Sequence, residues 1–265
     1  MISGIVEIVR YRELVLSLIR RDLKRRYKGS ILGFLWYLVN PLLIMGILWV
    51  VFGFFFSRMG GVEAYAVYLL SALVAWNFFT QSVLTSATNL ATSGGLIRRV
   101  YVPKAVFPLA SIGGSAVNFV LSLIPLSFVI WAYQRPVGWS LLYFPVGLLF
   151  LLAFSTGMAL LISSINVFFR DVQHIAEVVF LAWFYATPVI WPVGMLEGLD
   201  VPAYMTVLLD WNPMAALIEC LRAPIYSGTM PSAHALNLAG ASALGLLLVG
   251  MAVFRRLESR FIYHL

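Results

Sequence analysis

The chain has 265 residues, of which 62% are hydrophobic and only 11% charged, with a mean hydropathy of +0.93; a water-soluble globule carries about 25% charged residues, so that class is excluded. The net charge of +7 does not indicate nucleic acid, because the cations sit beside apolar stretches and not over a face that follows a phosphate backbone. The single cysteine, Cys220, excludes an intramolecular disulfide and any CxxC metal or redox site.

This composition predicts an all-α polytopic membrane protein. Residues 1–28 are expected to form an amphipathic interface helix and residues 29–265 a six-helix transmembrane domain. In the first segment Ile5, Ile8, Val9, Leu16, Ile19, Leu23 and Tyr27 recur on one face, while Arg10, Arg21, Lys24, Arg25 and Lys28 point away from it. Arg10, Arg12 and the later basic run interrupt any signal-peptide core, so the chain is expected to be mature from its first residue. The run holds Arg20, Arg21, Lys24, Arg25, Arg26 and Lys28 against one acid, Asp22. Anionic headgroups attract such a cluster by about 1 kcal/mol per cation.

Gly29 and Ser30 then break the helix, and the first span is expected over 31–56, with Pro41 kinking or tilting it. An outer turn over 57–63 leads to a second span over 64–91. On that span Asn77, Gln81, Thr85 and Asn89 recur at i, i+4 and form one polar stripe, which lipid does not accommodate cheaply. Two uses fit it: a water-filled transport path, or hydrogen bonding between helices, the commoner use of such residues in membrane bundles. A loop over 92–104 carries Arg98 and Arg99. The third span, over 105–133, carries Ser111, Ser115, Asn118 and Ser122 beside Gly113 and Gly114, a pattern that suits close packing.

The fourth span is expected over 141–165, a cytoplasmic turn over 166–175 and the fifth span over 176–191. Prolines and glycines then divide residues 192–233 into pieces too short to cross a bilayer. Two of them, 202–209 and 213–226, are expected as short re-entrant helices in the outer leaflet, where irregular backbone must pack on protein or line a wet cavity. The last span is expected over 234–254. In this arrangement fifteen of the eighteen cations lie inside, and Arg58, Arg135 and Arg222 lie outside. Both termini are therefore expected in the cytoplasm.

There is no phosphate loop, HExxH or GxSxG motif, so no site for hydrolysing ATP is expected in the chain. His174, His234 and His264 lie in three distant segments, which argues against a metal site. Of the acids Glu177, Asp210 and Glu219, none has a second acid at i+3 or i+4 in mid-span, and Glu219 has Arg222 at i+3, an expected ion pair. Trp36, Tyr65, Trp139, Trp191 and Trp211 fall near span ends as interface residues. Trp49, Trp76, Phe78, Phe79, Trp183, Phe184 and Tyr185 lie deeper, where aromatic faces either fill a core or line a path for sugar rings. The candidate path-lining residues are Asn77, Gln81, Thr85, Trp76, Trp183 and Tyr185.

Several motifs occur in order along the chain. Arg21, Asp22, Lys24, Arg26 and Tyr27 precede Ser30, Leu32, Gly33, Leu35 and Trp36, followed by Asn40, Pro41 and Leu42. Further on come LIRRVYVPKAVFPL at 96–109, Asn166, Phe168, Phe169, Arg170, Asp171, Val172, His174 and Ile175, then TPVIWP at 187–192 and NPMAALIECLR at 212–222. Together they resemble ABC-2 type permeases of bacterial polysaccharide ABC exporters, in the O-antigen and capsule branch. The resemblance implies a homodimeric permease in the bacterial cytoplasmic (inner) membrane, paired with two ATP-binding cassette subunits that hold ATP and Mg. The chain itself would bind no cofactor. Its substrate would be a lipid-linked glycan such as O-antigen, capsule or a teichoic-acid-like polymer.

A two-fold pair also gives a hydrated glycan more room than six helices from one chain. The loops with Arg98, Arg99, Arg170, Asp171 and His174 are then the candidate coupling surface for the ATPase. Arg21, Lys24, Arg25 and Arg26 are candidates to guide the lipid phosphate, since arginine grips phosphate oxygens with paired hydrogen bonds. Orientation of the chain and attraction of bulk anionic lipid account for the same cations. An ABC-2 drug or lipid exporter is the alternative within transporters. A polyprenyl-lipid glycosyltransferase needs clustered carboxylates, whereas Glu7, Glu13, Asp22, Asp171, Glu177 and Glu258 are scattered.

Overall fold

The computed structural model of the chain describes residues 11–27, 33–53, 64–97, 102–135, 138–196 and 202–264. Among these, every regular element is helical: α1 (Arg12–Tyr27), α2 (Trp36–Leu48), α3 (Tyr65–Thr92), α4 (Gly94–Ile97), α5 (Val106–Ala132), α6 (Phe144–Asn166), α7 (Val172–Ala186), α8 (Ala203–Asp210), α9 (Pro213–Arg222), α10 (Ala233–Leu257) and α11 (Phe261–His264). Tight 3₁₀ turns precede α2 (Gly33–Leu35) and α6 (Trp139–Tyr143), and wider π-helical turns follow α2 (Trp49–Gly53) and α9 (Ala223–Ser227).

Four of the described helices are long and apolar enough to cross a membrane: α3, α5, α6 with its lead-in turn, and α10 with its tail. The bounds of α3, α5, α6 and α10, without lead-in turn or tail, lie within three residues of those expected for the second, third, fourth and sixth spans. Two shorter apolar helices cover Leu38–Phe52 and Val172–Ala186. The first corresponds to the expected first span, of which residues 31–32 and 54–56, with the turn over 57–63, lie outside the described residues. The second corresponds to the fifth span, shifted toward the N-terminus. It stops at Ala186, where Thr187 precedes Pro188 and is extended, at φ −100° and ψ 140°, the conformation that the clash with a following proline ring favours.

The two short helices expected after Pro192 are α8 and α9. The second is started by its own sequence: the Asn212 side chain accepts from the amides of Met214 (3.0 Å) and Ala215 (3.4 Å), and Pro213 fills the first helical position, where no amide is needed. Ser232 caps α10 in the same way through the Ala235 amide, at 3.1 Å.

The bundle is built around α3, which packs against α2, α5, α6, α7 and α9. Its most apolar stretch is 78% buried, against 17% for that of α10, so α3 is the axis and α10 lies at the edge. A second core forms at the end that carries Lys104, Arg170, Arg255 and Arg256, the basic end. There Leu18 of α1 sits among Leu90, Val106, Phe107, Ala110, Leu160, Val167, Phe254 and Phe261. The face of α1 that meets the bundle holds Leu14, Val15, Leu18 and Ile19, while Leu16, expected with Ile19 on the apolar face, is 52% exposed. The helix is apolar on more than one side, and protein contact selects only one of them.

α6 and α10 touch backbone to backbone. A Cβ placed on Gly250 would lie 2.1 Å from the Gly157 carbonyl oxygen, and one on Gly157 would lie 2.5 Å from that of Leu246. Small residues give membrane helices this approach, and with it their dispersion contact. Gly245, one turn and a residue before Gly250 on the same helix, has open space around it. Gly250→Ala is therefore expected to destabilise the chain by about 1–3 kcal/mol through overpacking. Gly245→Ala should be neutral or stabilise it by up to about 1 kcal/mol through helix propensity. Thermal unfolding in detergent measures both, and equal effects would contradict the backbone contact.

Candidate functional site

Between α2, α3 and α5 lies a cavity of 610 Å³. α3 supplies Asn77, Gln81 and Thr85; α5 supplies Ser115, Asn118 and Ser122; α2 supplies Trp36 and Asn40. The polar stripes of the second and third spans thus face one another across a space. Asn118 Nδ2 donates to Gln81 Oε1 at 2.6 Å. Asn118 Oδ1 and Ser115 Oγ are buried and have no partner. Leaving such a group unsatisfied costs about 1–3 kcal/mol, so both favour an occupant that offers hydrogen bonds. The foot of the stripe is used differently. Asn89 Nδ2 donates to Asp22 Oδ2 of α1 at 2.5 Å and to Ser111 Oγ at 2.8 Å. Hydrogen bonding between helices and an open polar space therefore coexist along one face of α3.

The aromatic candidates are elsewhere. Trp76 is 5% exposed and stacks edge-on with Trp183 at 6.1 Å and Phe184 at 5.4 Å, in a group that includes Phe79, Phe154 and Phe180. Successive helical residues point about 100° apart, so Trp76 leaves the Asn77 face and turns to α6 and α7. Trp183 Nε1 also donates to Asn212 Oδ1 at 3.0 Å, which holds the cap of α9 against α7. Tyr185 is 61% exposed and points away from the chain. The structure brings Asn77, Gln81 and Thr85 together and sets Trp76, Trp183 and Tyr185 apart from them.

At the basic end, Arg170, Asp171 and His174 are exposed, with His174 Nδ1 3.5 Å from Glu177 Oε2. Asp171 occupies the cap position of α7 but makes no side-chain cap bond. The capping acceptor is Asn166 Oδ1, which receives the Gln173 amide at 3.1 Å, while Asn166 Nδ2 donates to the Ala87 carbonyl of α3 at 3.2 Å. Thr88 Oγ1 donates to Gln173 Oε1 at 3.0 Å, a second tie between α3 and α7. The ring of Phe168 lies against His264 at 4.7 Å, and Lys104 Nζ donates to the Glu258 carbonyl, so the C-terminal turn is fastened to the same end. Arg98 and Arg99 lie outside the described residues. Arg21 and Lys24 are exposed on α1, whose helix continues through Arg25 and Arg26.

The opposite end of α7 holds a feature that motif reading missed. Residues 188–190 are buried although irregular, and side chains take their carbonyls. Tyr65 OH donates to Ile190 O at 2.8 Å, and Tyr68 OH lies 3.2 Å from Pro188 O and 3.0 Å from Trp191 O. Arg222 donates from Nη1 to Pro188 O at 3.0 Å and from Nη2 to Val189 O at 3.3 Å, with its guanidinium 3.6 Å from the centre of the Tyr68 ring. Arg222 does not pair with Glu219, whose Oε1 instead accepts the Ser232 amide at 3.0 Å. The signal was present in the sequence as a cation three residues from an acid, but the carbonyls that outcompete the acid come from another segment.

A family described as ABC-2 type transporter matches residues 13–226. The chain belongs to the ABC-2 type transporter family. It is 33% identical over 262 residues to an O-antigen export system permease protein of Myxococcus xanthus, covering 98% of each chain. It is 25% identical over 252 residues to an O-antigen export system permease protein of Klebsiella pneumoniae, covering 94% of this chain and 93% of that one. A polysialic acid transport protein of Escherichia coli is 23% identical over 256 residues, covering 91% and 92%. The ABC-2 match begins within α1 and ends in the turn after α9, so it takes in the amide-lined cavity, the Asn166 cap and the Arg222 clamp.

In this ABC-2 chain Asn166 should carry the cap of α7 and Asp171 should not. Asn166→Ala is expected to lower stability by about 1–2 kcal/mol, the usual range for a lost cap, whereas Asp171→Asn should change it by less than about 0.5 kcal/mol, as for a surface site. Thermal unfolding followed by tryptophan fluorescence measures both, and an equal loss in Asp171→Asn would contradict the assignment.

Proposed function

We propose that the chain is the transmembrane subunit of an ABC exporter that moves a lipid-linked polysaccharide across the bacterial cytoplasmic membrane. The observation that carries this reading is the end-to-end likeness to the O-antigen export permease of Myxococcus xanthus. Two copies of the chain would pair around the path, and two ATP-binding cassette subunits, holding ATP and Mg, would supply the energy. Leu43, Ile47 and Val50 on or after α2, and Ile175, Val178 and Leu181 on α7, are all more than half exposed in the single chain, apolar surface that lipid or the second copy would cover. With the two short apolar helices counted as spans, the chain crosses six times, α1 lies along the inner headgroups, and the basic end with both termini is cytoplasmic.

On this reading Arg170, Asp171 and His174, with Arg98 and Arg99, meet the ATPase. The uncharged amide-lined space favours a hydroxyl-rich substrate over an apolar drug or lipid, since buried amides left unpaired by an apolar guest would destabilise its binding. Trp76 and Trp183 would support the path from the core, and Tyr185 would reach it only from the surface that faces the second copy.

Two experiments test the reading. The purified chain alone is expected to hydrolyse no ATP, while the complex with the ATPase of a neighbouring reading frame hydrolyses it and its loss abolishes surface glycan. Hydrolysis by the isolated chain, or normal surface glycan without it, would contradict the proposal. The second concerns Arg21, Lys24, Arg25 and Arg26. Replacing all four by Gln leaves eleven inside cations against three outside, so insertion and ATPase binding should hold. Surface glycan should fall at least about tenfold at matched protein level, the scale of one or two lost charge-assisted hydrogen bonds. Normal glycan in that variant would assign the run to orientation alone.

A further inference from the structure

The cavity between α2, α3 and α5 is lined by a single chain, and its chemistry is specific. Its polar lining consists of Asn40, Asn77, Gln81 and Asn118 with Thr and Ser hydroxyls, and none of the described lining residues carries a formal charge. Among these described residues an anion would find no cation, and a metal ion no carboxylate. Ser115 is 0% and Asn118 6% exposed, yet Ser115 Oγ and Asn118 Oδ1 have no partner. The amide oxygen accepts only, so the missing group is a donor, and the hydroxyl accepts or donates. A guest with several neutral O–H groups meets both needs.

Size and position narrow the guest. At ~30 Å³ per water in the liquid, 610 Å³ holds about twenty waters, or one to two sugar rings with their hydration. Trp36, 40% exposed, and Asn40 stand on the helix that follows the basic segment, and both line the cavity; an indole offers a face on which the C–H side of a sugar ring stacks. Asn89 fixes the depth, because it bonds Asp22 within the basic run of α1. Thr85 and Gln81 lie one and two steps of four residues further along α3, about 6 and 12 Å at 1.5 Å per residue. A phosphate held among the α1 cations thus has the cavity within reach of the sugar attached to it.

We propose that this cavity is a subsite for the neutral, lipid-proximal sugar of the exported glycan, separate from the cations that hold its phosphate. The inference rests on the polysaccharide-export reading. It divides recognition in two: charge on α1 reads the lipid phosphate, and amides on α3 and α5 read the first hydroxyls. Asn118 is the central contact, oriented by Gln81, and Ser115 is the second.

The test uses the purified complex of the chain with its ATPase in lipid nanodiscs. Its probe is a farnesyl diphosphate glycoside bearing one hexose with a diazirine tag on the ring. After irradiation and digestion, label is expected on peptides spanning 77–85 and 115–122. Asn118→Leu and the milder Ser115→Ala should each reduce that label, Asn118→Leu by about tenfold, the weight of about one hydrogen bond. A farnesyl diphosphate tagged on its prenyl chain and lacking the sugar should label the complex equally with and without these substitutions. Sugar label outside these peptides, or label on them unchanged in both variants, would overturn the subsite. Export in cells separates the two levels: a complex that exports glycan but shows no cavity label defeats the subsite alone, whereas one that exports none defeats the export reading with it.

Discussion

The structure depends on one constraint: in lipid, a backbone carbonyl that leaves a helix must find its hydrogen bond inside the protein. α7 is a fifteen-residue helix, about 22 Å long at 1.5 Å per residue, too short for a ~30 Å hydrocarbon core. The chain continues as irregular backbone from Thr187 onward, and Tyr65, Tyr68 and Arg222 take the carbonyls of residues 188–191. Arg222 is tolerable in this position because Nη1 and Nη2 each reach a carbonyl and the Tyr68 ring covers the guanidinium face. The same side chains join three elements, since Tyr65 and Tyr68 come from α3, the carbonyls from the segment after α7 and the cation from α9.

The other end of α7 is held to the same helix. Asn166 bridges the Ala87 carbonyl of α3 and the Gln173 amide of α7, and Thr88 bonds the Gln173 side chain. Between these ties the Trp76, Phe79, Phe180 and Trp183 rings interlock. α3 and α7 therefore form one unit clamped at both ends and packed in the middle. Another face of α3 carries the amides that line the cavity toward α2 and α5, so one helix carries an aromatic seam and a polar one on different sides.

Much of this was legible in the sequence. Four spans were readable because hydropathy and length alone fix a helix that has no other means of satisfying its backbone. The α3 stripe was readable from its spacing. What failed was partner choice. That the stripe on α5 faces the stripe on α3 is a fact of tertiary packing, and neither stripe names the other. Trp76 seemed a lining residue from its depth, although its helical angle from Asn77 already turned it toward the core. Arg222 was assigned to Glu219 because local spacing was the only partner visible. The carbonyls that claim it exist only because α7 ends early at Thr187, and that consequence of Pro188 reaches Arg222 through another segment. Leu16 and Leu18 of α1 show the same limit, since an apolar stripe does not say which side meets protein.

The most direct test of the clamp is a double-mutant cycle between Tyr68→Leu and Arg222→Met, read as thermal stability of the chain in lipid nanodiscs. The account predicts that the two substitutions are coupled by about 1–2 kcal/mol, because each removes the partner and the carbonyl geometry on which the other depends. Additivity within about 0.3–0.5 kcal/mol, the behaviour of independent sites, would contradict it.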